Sequence, residues 1–186
     1  MKKTAAVILL LALCFCLTGC FRWLTPPEHD PAPTPGNTDP TPAPDPEPSA
    51  DLAFDFTTTD LQGNTVSMSD YTGCKLILVN LWEPWCGPCL GEMPDLQLLY
   101  EKYHGQGFEI LGVFGYDTDE NAKEAVSDTG VTYPILHFSD DFSGFETGYV
   151  PTSVFLDSRG NRLNAEDLIG SMSYEDWEKL ILEYLG

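Results

Sequence analysis

The chain has 186 residues, of which 29 are acidic and 9 are basic, so its formal net charge at pH 7 is −20. This acidic excess argues against nucleic-acid binding and against membrane anchoring through a basic patch. The length is sufficient for one ordinary domain with additional segments.

The first 19 residues have the pattern of an export signal. Lys2 and Lys3 precede an apolar run at 5–17, which is too short to span a bilayer comfortably. The four residues that end at Cys20, Leu-Thr-Gly-Cys, resemble a bacterial lipobox. The resemblance implies lipidation of Cys20, which would hold the protein on the extracytoplasmic face of a membrane without spanning it. The alternative is ordinary secretion with Cys20 as a free thiol.

Residues 20–51 are predicted to form a linker that begins at the lipidated cysteine. Ten of the fifteen prolines lie between Pro26 and Pro48. Such a composition cannot bury a core and favours extended polyproline II structure. The composition becomes globular at Leu52, and residues 52–186 are therefore predicted to form the folded domain.

Strand and helix patterns alternate through this domain. The predicted elements are a hairpin at 54–59 and 65–68, a helical turn at 69–71, a strand at 76–81, a helix at 90–103, a strand at 108–114, a helix at 120–128, a strand at 131–136, a helical turn within 140–148, a hairpin at 154–157 and 163–169, and a closing helix after Ser173. This alternation predicts an α/β fold with parallel strands at the centre of the sheet.

Two cysteines stand where the first central strand leads into a helix. Pro88 suits a first helical turn, which puts Cys86 at the helix N-terminus and Cys89 one turn further on the same face. The helix dipole and free N–H groups there stabilise a thiolate, and a second thiol at this spacing can close a disulfide. The alternatives are a structural disulfide or half a zinc site, although no second Cys-x-x-Cys completes such a site.

The sequence Trp-Cys-Gly-Pro-Cys that ends at Cys89 resembles the thioredoxin active site. Asn80, together with the Cys-x-x-Cys-x-x-Glu-x-Pro spacing that includes Glu92 and Pro94, resembles the TlpA/ResA-like membrane-anchored thiol-disulfide oxidoreductases. The resemblance covers 52–186. It implies a thioredoxin-like α/β fold with a central mixed sheet flanked by helices and an N-terminal β-hairpin extension.

The resemblance also implies the roles of individual residues. Cys86 would be the nucleophile and Cys89 the resolving thiol, and their redox-active disulfide would serve without another cofactor or a metal. Substrate contacts are implied for a set of residues around the dithiol, namely Trp85, Gly87, Pro88, Val150 and Pro151. The bond before Pro151 is expected to be cis, with a trans proline opening an edge strand as the alternative.

Glu92 is the predicted proton-transfer group. It follows Cys89 by three residues and therefore shares its helical face. A desolvated carboxyl group there would have a raised pKa and could exchange a proton with Cys89. The alternative is a carboxylate that only complements the dipole of a surface helix.

The predicted function is exchange, with reduction expected, of disulfides in extracytoplasmic partner proteins. A membrane electron donor of the DsbD/CcdA type is implied by the resemblance. Two alternatives remain: a thiol-dependent peroxidase, whose Pro-x-x-x-Thr/Ser-x-x-Cys pattern is missing before Cys86, and a non-catalytic peptide-binding or chaperone module. Cys74 is interpreted as an inert, small buried side chain, with a free thiol or a site of intermolecular pairing as the alternatives. His104 and His137 are interpreted as structural.

Overall fold

The structure is a computed structural model that describes residues 52–186. The predicted signal peptide at 1–19, the lipidation site at Cys20 and the linker at 20–51 lie outside the described residues. Within 52–186, no helix combines the length and apolar character needed to cross a membrane.

Five strands form a mixed sheet, and two more form a separate hairpin before it. The strands are β1 (Thr57–Thr59), β2 (Thr65–Ser67), β3 (Leu76–Leu81), β4 (Phe108–Phe114), β5 (Ile135–His137), β6 (Thr152–Asp157) and β7 (Leu168–Ile169). The helices are α1 (Gly87–Tyr103), α2 (Asp119–Thr129) and α3 (Tyr174–Leu185), and 3₁₀ turns occupy Met68–Tyr71, His104–Gln106 and Asp140–Phe145. The sheet order is β5-β4-β3-β6-β7. Strands β3, β4 and β5 are parallel, whereas β6 and β7 pair antiparallel, which confirms the predicted mixed α/β architecture.

Strand β3 is buried at every position and separates two hydrophobic cores. Leu76 and Leu78 join the core shared with α1 and α3, whereas Ile77, Val79 and Leu81 join the core beneath the N-terminal hairpin. This alternation is the two-residue period of a strand. Asn80 has the parity of Leu76 and Leu78, so the same period directs its side chain towards α1.

The active-site helix begins where the sequence predicts. Cys86 is the N-cap of α1, and Pro88 lies in its first turn, where a missing N–H group costs no hydrogen bond. The buried face includes Cys89, Glu92 and Met93, and the helix continues past Pro94 to Tyr103. The thiol of Cys89 and the carboxyl group of Glu92 therefore lie one turn apart on the buried side of one helix.

The predicted strand at 131–136 was wrong at its start. Strand β5 begins only at Ile135, which pairs with Gly112 of β4. Pro134 precedes it, has no N–H group to donate to a neighbouring strand, and accepts a hydrogen bond from Gly112 N–H through its carbonyl at 2.9 Å. Pairing therefore starts one residue after the proline.

The predicted strand at 163–169 was also too long. Only Leu168–Ile169 pairs with β6 as a strand, while Arg162 forms an isolated bridge. Between them Asn164 takes the place of the backbone ladder, because its Oδ1 accepts from Phe155 N–H at 2.7 Å and its Nδ2 donates to the Glu166 carbonyl at 2.7 Å. A side-chain amide thus replaces strand pairing.

The described chain enters the domain beside the turn after β6. Ala53 N–H donates to the Arg159 carbonyl at 2.8 Å. Gly160 has φ of +76°, and a Cβ atom there would lie 2.6 Å from the Phe54 carbonyl oxygen, so both the backbone conformation and the close contact require glycine. Because β6 ends opposite Leu76, this entry lies at the end of the sheet where β3 starts.

Candidate active site

Cys86 and Cys89 are joined by a disulfide bond at the N-terminus of α1. The sulfur of Cys86 accepts a hydrogen bond from Cys89 N–H at 3.2 Å. Cys86 keeps 4% of its surface exposed, whereas Cys89 is fully buried. An N–H donor and the positive end of the helix therefore both act on the sulfur that a substrate can reach, which favours thiolate on Cys86 after reduction.

The loop before β6 lies directly against this sulfur. The peptide bond between Val150 and Pro151 is cis, as predicted. The Val150 carbonyl oxygen is 3.6 Å from Cys86 Sγ. Thr152 Oγ1 donates to the Tyr149 carbonyl at 2.7 Å and contacts Thr147 Oγ1 at 2.8 Å, so side-chain hydrogen bonds hold the loop at this position.

Glu92 is 2% exposed and is surrounded by hydrogen-bond donors. Its Oε2 accepts from Met172 N–H at 3.1 Å and from Trp177 Nε1 at 3.2 Å, while Asn80 Nδ2 donates to its Oε1 at 3.1 Å. Burial raises the pKa of Glu92 above its ordinary value, and the three N–H donors oppose that rise. The expected raised pKa is confirmed in direction, and a surface carboxylate at the helix dipole is excluded.

A groove of about 480 Å³ opens beside the dithiol. Its lining includes two of the predicted substrate-contact residues, Trp85 and Val150. Gly87 and Pro88 are exposed at the start of α1 and do not line the groove, and Pro151 is buried and does not line it either. The structure therefore brings only part of the predicted contact set to this groove.

Comparison with known proteins identifies the family. Residues 50–161 match the model of the AhpC/TSA family. The chain belongs to the AhpC/TSA family. Among its curated relatives, the thiol-disulfide oxidoreductase ResA of Geobacillus kaustophilus is 35% identical over 127 residues, which are 67% of this chain and 71% of the relative. ResA of Bacillus anthracis is 34% identical over 125 residues, which are 66% of this chain and 70% of that relative.

A solved structure has the same fold. A thiol:disulfide interchange protein of the thioredoxin family from Chlorobium tepidum has a TM-score of 0.64 and 26% identity, covering 73% of this chain and 96% of its own. The predicted thioredoxin-like fold is therefore confirmed. The prediction of an enzyme of the thiol-disulfide oxidoreductase class is confirmed by the same relatives.

Glu83 is a buried acidic residue of the candidate active site that the sequence analysis missed. It is 2% exposed, and its Oε1 accepts from Gly115 N–H and Tyr116 N–H at 2.9 Å each. Its Oε2 is buried and has no hydrogen-bond partner among residues 52–186. A charged residue two positions after the end of β3 was the available signal, but its partners lie more than thirty positions away.

The remaining predicted structural residues do not contact the dithiol, although His104 caps the C-terminus of the same helix. Cys74 is a free, half-buried thiol packed against the core beneath the hairpin, and burial raises its pKa. His137 is hydrogen-bonded to Asp119 at 2.8 Å and to the Thr59 hydroxyl at 3.0 Å. His104 lies 3.4 Å from a carboxylate oxygen of Glu109. Across 52–186, no group of three or more His, Cys, Asp and Glu side chains could hold a metal ion.

Proposed function

We propose that this AhpC/TSA protein reduces disulfides of partner proteins at the extracytoplasmic face of a membrane, to which it is anchored through Cys20. The observation that carries the proposal is the position of Cys86 Sγ, at a helix N-terminus and 3.6 Å from the Val150 carbonyl oxygen. This places the more exposed sulfur at a backbone edge that an extended substrate segment can reach.

The reaction transfers two electrons through a mixed disulfide. The Cys86 thiolate attacks one sulfur of the substrate disulfide, forming a bond to it and releasing the other substrate sulfur as a thiolate. Cys89 then attacks Cys86 Sγ and releases the second substrate thiol. The substrate gains two electrons and two protons, and the protein is left with the Cys86–Cys89 disulfide that the structure contains.

Glu92 is the proposed proton acceptor for the second step. Cys89 must lose its proton before it attacks, and it is fully buried and out of reach of bulk water. Glu92 lies one helical turn away on the same buried face. A carboxyl group whose pKa is raised by burial is a better base at neutral pH than an exposed one.

Substrate is held by the loop at Val150 and Pro151 together with Trp85. Trp85 is 64% exposed beside the dithiol, which makes it available to cover a bound segment. Gly87 and Pro88 contribute the exposed surface at the start of α1. These contacts keep an attacked disulfide near Cys86 through both steps.

Each turnover consumes the dithiol, so the reductant must itself be reduced. Outside the cytoplasm these electrons have to cross a membrane, and we propose a membrane donor of the DsbD/CcdA type. The Gly-Pro pair between the cysteines resembles that of reducing thioredoxins.

The deciding experiment is the reduction potential of the Cys86–Cys89 pair. The purified full-length protein is equilibrated against thiol redox buffers, and tryptophan fluorescence reports the fraction reduced. Trp82 belongs to the same core cluster as both cysteines, and Trp85 directly precedes Cys86. A value near or below that of thioredoxin, roughly −270 mV, supports the reductant. A value near that of DsbA, roughly −120 mV, would instead make the protein a disulfide donor.

A further inference from the structure

We propose that the groove beside the dithiol binds a cationic side chain, lysine or arginine, of the substrate protein, and that Glu83 determines this preference. The inference rests on the proposed reduction of protein disulfides and adds to it the chemistry of the segment that is selected.

The charge of the groove has one sign. Of the described residues that line it, Glu83 and Glu146 are acidic and none is basic. The whole chain carries 29 acidic and 9 basic residues, so its long-range field also attracts positive partners. A groove of this charge disfavours an acidic side chain and favours a basic one.

Glu83 places a carboxylate in the wall without completing its hydrogen bonds. Gly115 N–H and Tyr116 N–H both donate to Oε1, an arrangement that suits a carboxylate, whereas Oε2 has no partner in the described part of the chain. A buried acceptor without a donor is costly. The buried charge of Glu83 is also less screened by water and salt than a surface charge. A cation in the adjacent groove would therefore compensate the charge of Glu83.

Aromatic side chains supply the rest of the recognition. Trp85, Tyr116 and Tyr149 line the groove and remain 64%, 70% and 70% exposed. The faces of such rings attract lysine and arginine cations, and exposed aromatic clusters of this kind mark binding surfaces. Tyr116 OH donates to Glu146, which fixes that carboxylate at the exposed side of the groove.

The groove is adjacent to the reacting sulfur. Val150 lines the groove, and its carbonyl oxygen is also the atom near Cys86 Sγ. Trp85 lines it as well and precedes Cys86 directly. A side chain that enters the groove therefore belongs to a residue close to the attacked cysteine.

The test uses three disulfide-bonded peptides that differ only in the residue beside one cysteine, which is lysine, norleucine or glutamate. Pre-reduced full-length protein is mixed with each, and the second-order rate constant is followed by tryptophan fluorescence at low and high salt. The lysine peptide is expected to react roughly tenfold faster than the norleucine peptide. The glutamate peptide is expected to react slowest, and high salt is expected to reduce the spread.

Three variants distinguish the effect of the carboxylates in the groove from the effect of the overall negative charge of the protein. Glu83→Gln keeps the shape of the side chain and should bring the lysine-to-norleucine ratio close to one, and Glu146→Gln at the exposed side should lower it. Glu183→Gln, an exposed acid on α3, removes the same charge elsewhere and should leave the ratio unchanged. Using the ratio within each variant cancels any change in overall reactivity.

Equal rates for the three peptides in the unsubstituted protein, or a fastest reaction with norleucine, would overturn the cationic preference. A ratio that responds equally to Glu83→Gln and Glu183→Gln would overturn the role of Glu83. If none of the three peptides is reduced, the proposed function fails rather than the inference about the groove.

Discussion

The side-chain amide of Asn80 donates to Glu92 Oε1 at 3.1 Å and to Ser153 Oγ at 2.9 Å. All three residues are buried. One amide on the central strand therefore positions the carboxyl group on α1 and also connects it to β6, the strand that follows the cis proline. The proposed proton acceptor and the strand after the substrate loop thus share one hydrogen-bonding partner.

Replacing Asn80 with alanine removes one of the three donors to Glu92. The pKa of Glu92 is expected to rise further, because a donor that favours the ionised form is lost. The titration of Glu92 can be followed by NMR of the labelled carboxyl carbon. Ser153→Ala is the matched control, because it removes the other contact of Asn80 and leaves all donors to Glu92 in place. An equal change in both variants would contradict the specific link.

The two cysteines are expected to have different roles. Cys86→Ser should abolish disulfide reduction, whereas Cys89→Ser should still attack and accumulate a mixed disulfide that is visible by mass spectrometry. Cys74→Ser is the control, since its half-buried thiol lies outside the site. If the Cys86→Ser variant accumulated the mixed disulfide and the Cys89→Ser variant did not, the roles of nucleophile and resolving thiol would be reversed. A peptide-binding module would retain binding in every variant.

Glu92→Gln is expected to slow the release of substrate from the mixed disulfide by roughly 100-fold at neutral pH, because Cys89 loses its proton acceptor. The first attack by Cys86 should change much less, which stopped-flow fluorescence can resolve. The release step in the unsubstituted protein should also show a pH dependence set by Glu92, absent in the variant. A uniform slowing of both steps with an unchanged pH profile would indicate only a structural role. Glu183→Gln serves as the control for charge.

The stability of the oxidised protein should depend on pH through Glu92. Burial raises the pKa of Glu92 in the folded state above the ordinary value of 4.5. The contribution of Glu92 to the free energy of unfolding is therefore fully present below pH 4.5 and is lost as pH rises through the folded pKa. Glutamine does not titrate, so the Glu92→Gln variant does not lose stability in this way as pH rises. The difference in free energy of unfolding between the two proteins should therefore change in favour of the variant as pH rises. Urea unfolding from pH 4 to pH 7 measures it, and a constant difference would contradict the raised pKa.

Two glycines with positive φ make a matched pair. Gly160→Ala is expected to lower the free energy of unfolding by more than about 2 kcal/mol, because the new Cβ meets the backbone oxygen of Phe54 in addition to the unfavourable φ. Gly63→Ala has φ of +84° and no atom within 4 Å, so its cost should be only about 1 kcal/mol. Urea denaturation measures the decrease in the free energy of unfolding for both variants. Equal decreases would show that Phe54 moves away from the new Cβ atom.

Anchoring through Cys20 predicts incorporation of labelled fatty acid into the protein in bacterial cells. Cys20→Ser should abolish the label and move the protein from the membrane fraction to the soluble extracytoplasmic fraction. Cys74→Ser should leave the label and the fractionation unchanged. A labelled Cys20→Ser protein would show that the acyl chain is attached elsewhere.

The fold was largely predictable because its signals are local. The strand before Trp82, the proline in the first turn of α1 and the serine cap of α3 each act within a few residues of chain. The errors in two strands have the same kind of cause. Strand β5 starts only after Pro134, and the side-chain amide of Asn164 replaces backbone pairing with β6. Hydrophobic periodicity indicates neither effect.

The site was predictable only in part because its hydrogen bonds are long-range. The spacing from Cys89 indicated Glu92, but its donors on Met172 and Trp177 lie 80 and 85 positions away. Glu83 was missed for the same reason, since the N–H groups of Gly115 and Tyr116 that hold it come from the loop after β4. A pattern within one segment contains no information about such partners.

The hydrogen bond between Ala53 and Arg159 lies where β3 begins, whereas Cys86 follows the strand's other end. The six residues of β3 separate the two points by about 20 Å. The first described residues of the domain and the dithiol therefore lie towards opposite ends of β3. A tag, fusion partner or immobilising bead that is coupled directly before Leu52 is therefore expected to leave the dithiol open to large protein substrates, which is the orientation that a surface-coupled redox reagent needs.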